Sequence, residues 1–133
     1  GFAIGHYTHE KNPVTTRAAL TTIDIILEEG LVERSAELGQ HMLGRMHDLM
    51  ARSPHVGDVR GRGLMVGVEL VEDRATRQPA RELAERVFYA CLEQRLSFKV
   101  SQGNVLTLSP PLVISKADLD HALDVVERAV LAA

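Results

Sequence analysis

Residues 31 to 71 constrain this chain more than any other stretch, because a long one-sided helix leads into a two-residue alternation. Leu31, Leu38, Met42, Met46, Leu49 and Met50 fall on one side of a helix predicted over residues 31–53. Glu33, Arg34, Glu37, Gln40 and Arg45 fall opposite, so one stripe must be buried and the other can face water. Pro54 ends the helix, since proline has no N–H to continue the ladder. Leu64, Val66, Val68 and Leu70 then alternate with Met65, Gly67 and Glu69 within an extended segment expected over residues 56–71, the period of a half-buried strand. A striped helix followed by a one-faced strand calls for a helix-on-sheet layer.

The remaining segments extend that layer. Asn12 and Pro13 form a helix start, with asparagine as N-cap and proline at the first helical position. The helix they open runs to about residue 29, with Ala18, Ala19, Ile23, Ile26 and Leu27 as its stripe and Gly30 as its stop. Thr15, Thr16, Thr21 and Thr22 are poor helix formers, so packing must hold it. A third helix is expected over residues 79–95, with Leu83, Val87, Ala90 and Cys91 inward. Two short strands, residues 97–101 and 104–109, meet at Gln102-Gly103, a hairpin signal. Pro110-Pro111 breaks the second strand, and Ser115 with Asp118 resembles a capping box for a last helix over residues 116–131. Leu119, Ala122, Leu123, Val126 and Val130 point inward there. The expected class is α+β, a mainly antiparallel sheet covered by helices. A boundary near Gly30-Leu31 divides residues 1–30 from residues 31–133. The apolar, glycine-bounded start, Gly1 to Gly5, reads as the middle of a longer protein.

Composition narrows the functional classes. Fifteen Lys and Arg against eighteen acids give a net charge of −3, and no basic cluster marks a nucleic-acid footprint. No apolar run approaches the roughly 18 residues needed to span a bilayer, and no signal peptide opens the chain. Cys91 is the single cysteine; a disulfide framework is excluded, and a reducing, cytoplasmic setting is expected. Its place on a helix's apolar side marks a buried small hydrophobe.

The generic candidates for chemistry are thin. His6, His9 and Glu10 have weak metal-ligand spacing in a loop, with no third ligand set by sequence. His41, His47 and His121 read as solvated. Asp58, Glu69 and Asp73 form no carboxylate pair whose separation the sequence defines. Gly57 to Gly63 holds three glycines, but a strand follows where a phosphate loop needs a helix. A tight turn that aims Leu64 into the sheet is the simpler reading, with Arg60 and Arg62 solvated or salt-bridged.

Three segments together carry a resemblance: Gly5-His6-Tyr7-Thr8-His9-Glu10-Lys11-Asn12-Pro13, Gly57-Asp58-Val59-Arg60-Gly61-Arg62-Gly63-Leu64-Met65, and Asn104-Val105-Leu106-Thr107-Leu108-Ser109-Pro110-Pro111. In order and spacing they resemble the C-terminal part of class III (fold-type I) aminotransferases, which use pyridoxal 5'-phosphate. The resemblance implies the end of a large cofactor-binding domain and a connecting helix over residues 1–30, and a small C-terminal domain over residues 31–133. It implies a homodimer whose active site is shared across the interface. Thr8 occupies the position of the threonine that holds the phosphate of the partner subunit's cofactor. Such a dianion is best held by short, charge-assisted hydrogen bonds from rigid backbone.

Two departures matter. Relatives acting on amino acids often carry an arginine three residues before the proline pair, a bidentate fork for the substrate carboxylate; here that position is Thr107. The lysines are Lys11, Lys99 and Lys116, and none has the glycine-rich context of the family's Schiff-base lysine. That lysine is expected upstream, so no catalytic residue is assigned in this chain. Lys99, on a short strand, is the one that could face a substrate entrance. The implied activity of the intact enzyme is amino transfer between an amine or amino acid and a keto acid. The alternative is a racemase or lyase of the same family, acting on an amine without a free α-carboxylate. A stand-alone interaction module would explain the missing lysine, but it leaves the apolar stripe of the first helix in need of a partner.

Overall fold

A computed structural model of the chain describes residues 12–133. The chain divides into two compact units, Gly1–Glu33 and Arg34–Ala133. In the first, α1 (Pro13–Glu28) starts where Asn12 Oδ1 accepts the Val14 N–H at 2.9 Å. It stops before Gly30, whose φ of +61° is the left-handed turn that glycine adopts without a Cβ clash. Thr15, Thr16 and Thr22 turn their hydroxyls onto backbone carbonyls three or four residues earlier, the local bonding that makes threonine a neutral helix former. No residue of α1 is buried; Val14, Leu20, Ile23, Ile25 and Leu27 are exposed.

The second unit holds the core. Helix α2 spans Leu31–Arg52, α3 Arg81–Glu93 and α4 Lys116–Ala132. The strands are β1 (Val56–Arg62), β2 (Met65–Asp73), β3 (Gln78–Pro79), β4 (Lys99–Ser101) and β5 (Val105–Leu108). The sheet order is β1-β2-β5-β4, with β3 added to β2, and every pairing is antiparallel. This is the expected α+β arrangement. Leu38, Met42, Met46 and Leu49 of α2 join Val66, Val68 and Leu70 of β2, Leu106 and Leu108 of β5, and the inner residues of α3 and α4 in one buried cluster. The helices thus cover one face of the sheet. Alternation sends Arg60, Gly67, Glu69, Thr107, Lys99 and Ser101 to the other.

Three expectations need correction. Residues 56–71 are a hairpin of two strands: the tight turn expected ahead of a buried Leu64 falls at Gly63-Leu64, while residues 57–62, read as part of that turn, lie in strand β1. The chain reverses at Gly63-Leu64, where Gly63 has φ +53°. Ser35 on α2 explains the reversal, because its Oγ accepts the Leu64 N–H at 3.1 Å and anchors the turn. In α3, Ala84 is buried and Ala90 is exposed, the reverse of the predicted stripe. His41 is not simply solvated; its ring nitrogen lies 2.5 Å from an Asp120 carboxylate oxygen.

Arg74, in the turn after β2, ties the C-terminus of α2 to the start of β1. Its guanidinium donates to the carbonyls of Met50 and Ser53 at the helix end, where the last turn lacks intrahelical partners, and to that of Val56 at the start of β1. The Gln102-Gly103 turn forms as expected, with φ of +56° and +83° at its two central positions. Ser115 caps α4, accepting the Asp118 N–H at 3.0 Å.

Candidate functional site

The uncovered face of the sheet is where chemistry-bearing side chains converge. Cross-strand register aligns Arg60 of β1, Gly67 of β2, Thr107 of β5 and Lys99 of β4 in one row. Directly opposed residues in antiparallel strands share a face, so the row places four neighbours side by side over about 14 Å, three strand spacings. The next row carries Asp58, Glu69, Val105 and Ser101.

The electrostatics of this face are uneven. Arg60 Nη1 donates to Glu69 Oε2 at 2.7 Å and to Asp58 Oδ2 at 2.5 Å. Glu69 first, and Asp58 with it, hold the guanidinium even more firmly protonated than usual. Arg60 is therefore internally neutralised, the salt-bridged option that the sequence left open. Two of the three carboxylates whose separation could not be read from sequence, Asp58 and Glu69, are drawn to this one arginine. At the other end of the row, Lys99 is exposed and makes no ion pair among the described residues. Between them, Thr107 is half-buried and its hydroxyl lies 2.8 Å from Ser101 Oγ.

The other sequence candidates are dispersed. Thr8, Lys11, His6, His9 and Glu10 lie outside the described residues. Lys116 is on α4, with its ammonium 2.7 Å from Asp120 Oδ2. His47 and His121 are exposed, and no group of three metal-binding side chains forms among the described residues. Asp73 holds its own turn: the N–H groups of Thr76 and Ala75 donate to its carboxylate and keep it more acidic than usual. Cys91 is buried, and desolvation pushes its thiol up to about 11, so it is packing rather than nucleophile. On the core side, an apolar cavity of about 250 Å³ is lined by residues including Met42, Phe98, Leu108, Ile114 and Leu123, with no ionisable group in its wall.

These geometries resemble one half of a site. Among the described residues, neither lysine is a buried, unpaired amine, and none of the polar groups forms a closed phosphate cradle. The described residues therefore do not by themselves make a pyridoxal phosphate site. They supply a sheet face with a hydroxyl pair and two cations outside any ion pair among the described residues, Lys99 on β4 and Arg62 on β1. Sequence reasoning singled out Thr107 but missed Ser101 and the Gly67 gap beside it. The two-residue period of β2 and β5 carries that information only once the strand order is known.

Comparison with known proteins assigns the class. A model of the class III aminotransferase family matches residues 5–130, and the chain belongs to that family. It is 47% identical over 128 residues to an (R)-1-hydroxy-2-aminoethylphosphonate ammonia-lyase of Vibrio splendidus, covering 96% of this chain and 27% of that protein. It is 43% identical to a leucine/methionine racemase of Thermococcus litoralis, covering 96% of this chain and 29% of that one. Among solved structures, an amine transaminase from an uncultivated Pseudomonas species, in its pyridoxal-phosphate-bound form, superimposes with a TM-score of 0.87. It is 30% identical, with 98% of this chain and 30% of that one covered. Pyridoxal phosphate is the cofactor of this family. The chain spans less than a third of the length of these relatives.

Proposed function

We propose that the intact protein is a pyridoxal-phosphate enzyme acting on a small primary amine whose anionic end is not an α-carboxylate, and that it releases ammonia without a keto-acid acceptor. One observation carries this reading. Thr107, on the open sheet face, stands at the position where, by the family resemblance, members acting on amino acids often carry an arginine, and its hydroxyl is engaged by Ser101. A neutral hydroxyl cannot grip a planar carboxylate as a guanidinium fork does. The 47% identity to an ammonia-lyase over nearly the whole chain supports the same reaction class. Amino transfer between an amine or amino acid and a keto acid is the second reading, favoured by the fit to an amine transaminase.

In the first reading, residues 31–133 act as the small domain. The cofactor, when bound, supplies the electron sink. This chain's part is to bind and orient the substrate's far end and to keep water from it. Thr8 contributes its hydroxyl and backbone N–H to the cofactor phosphate across a homodimer interface. The lysine that carries the cofactor belongs to sequence beyond these 133 residues. The exposed apolar residues of α1 support burial of that helix against the rest of the enzyme.

The discriminating experiment supplies the full-length enzyme with 2-amino-1-hydroxyethylphosphonate, with and without pyruvate. Ammonia formed without pyruvate supports elimination. Alanine formed only when pyruvate is present would establish amino transfer instead.

A further inference from the structure

The row across the open sheet face has a chemical preference of its own. Its two cations differ. Arg60 is satisfied by two carboxylates, whereas Lys99, exposed on β4, has no ion-pair partner among the described residues. Lys99 pairs directly with Thr107 in the β4–β5 register, so their side chains rise from the same face as neighbours. Thr107 and Ser101 share one hydrogen bond of 2.8 Å in which either hydroxyl can donate. Whichever does, one O–H is left over, because each hydroxyl carries one proton. Beside Thr107 the opposite neighbour is Gly67. A Cβ there would meet its nearest neighbour, Val105 Cγ1, at 3.4 Å, an ordinary contact, so the glycine leaves open a space that a side chain could fill. Glu69 and Asp58, the nearby carboxylates, share the single guanidinium of Arg60, which offsets one of their two charges; Arg62, two residues along β1, is a further exposed cation without an ion pair among the described residues.

From this juxtaposition we infer that Lys99 and the Ser101–Thr107 hydroxyl pair form a subsite for a tetrahedral oxyanion, the phosphonate or sulfonate end of a short amine. The reasoning concerns donor geometry and rests on Thr107 lining the substrate pocket. A planar carboxylate is best met by a planar fork of two parallel N–H donors. A tetrahedral group presents three oxygens in different directions. It is served by a compact ammonium with three rotatable donors and a hydroxyl approaching from another side. A doubly charged phosphonate also gains more from one uncompensated cation than a singly charged sulfonate does.

The test uses the full-length, cofactor-loaded protein and ligands that lack an amine and so cannot react: ethylphosphonate, ethanesulfonate and propionate. Calorimetric titration should show ethylphosphonate binding roughly 10-fold or more tightly than propionate. Lys99→Gln should weaken it by roughly 10- to 100-fold, the loss of one charge-assisted contact. Lys99→Arg should recover most of that, and Thr107→Val should weaken it by several-fold. With 2-amino-1-hydroxyethylphosphonate as substrate, Lys99→Gln should raise KM and leave kcat within about 2-fold; with 1-amino-2-propanol, which keeps the β-hydroxyl leaving group but has no phosphonate, it should change neither. Ethanesulfonate binding as well as ethylphosphonate supports a site for either anion. Propionate matching both, an unchanged Kd in Lys99→Gln, or a parallel rise in KM for 1-amino-2-propanol overturns the subsite. The wider reading is scored separately by the visible absorbance of bound pyridoxal phosphate. A protein that binds the cofactor but not ethylphosphonate sinks only the subsite.

Discussion

At the scale of single residues, two glycines of α2 behave oppositely. A Cβ on Gly39 would lie 2.3 Å from the Gly63 carbonyl oxygen, whereas one on Gly44 would meet nothing within 4 Å. The first is a close approach of helix backbone to the β1–β2 turn, next to the Ser35–Leu64 hydrogen bond. The second is an ordinary weakness in a helix. Gly39→Ala is therefore expected to destabilise the protein by about 3 kcal/mol, since neither backbone can yield cheaply. Gly44→Ala should stabilise it by about 0.5–1 kcal/mol through helix propensity. Chemical denaturation of both variants checks the pair; similar effects from the two would refute the packing argument. Helical periodicity located α2 but could not distinguish these glycines, because only the docked hairpin makes them different. Cys91 was legible from its position on an apolar stripe. Buried, and with its thiol raised to about 11, it should resist thiol reagents at pH 8 until the protein is unfolded. Rapid labelling of the native protein would contradict that.

At the scale of elements, α2 and α4 are joined by a seam of charges. Arg45 donates to Glu127 at 2.7 Å and to Asp124 at 2.6 Å, and Arg52 reaches the other oxygen of Glu127 at 2.6 Å. Asp120 takes Lys116 and His41, with Arg45 3.7 Å away. Lys116 chiefly, then His41, holds the Asp120 carboxyl down at about 2. A carboxyl more acidic when folded than when unfolded stabilises the fold above its ordinary pKa of 3.8. That contribution fades as pH falls towards about 2. The denaturation midpoint should therefore drop between pH 5 and pH 2, and Asp120→Asn should flatten part of the drop. Added salt should shrink the difference, as the carboxylate is a third exposed. An Asp120→Asn profile parallel to the parent would rule this seam out as a source of acid sensitivity. From sequence, Arg45 and His41 were polar-face residues of one helix. Their partners lie 75 to 82 positions away, beyond any local pattern.

At the scale of the whole molecule, the chain spans less than a third of its relatives' length, and α1 buries none of its residues. Residue 107 tests how the intact enzyme selects substrates. In the full-length enzyme, Thr107→Arg should shift preference towards α-amino acids by roughly 10- to 100-fold in relative kcat/KM, the worth of a charge-assisted contact to carboxylate. A change in overall rate without a change in preference would place residue 107 outside the substrate pocket.

The linear chain by itself determined what depends on neighbours within a few residues. The stripe of α2, the cap and proline at Asn12-Pro13, the Gln102-Gly103 turn and the Ser115 cap are all local preferences of backbone and side chain. The family signature was equally legible, because its motifs are written in order. Only the tertiary structure decided that β2 and β5 lie side by side, that Arg60 is consumed by Asp58 and Glu69, and that Thr107 meets Ser101 beside an unpaired Lys99. Those contacts arise from strand order and register. The hydrophobic face specifies which side of a strand is buried, but not which strand becomes its neighbour.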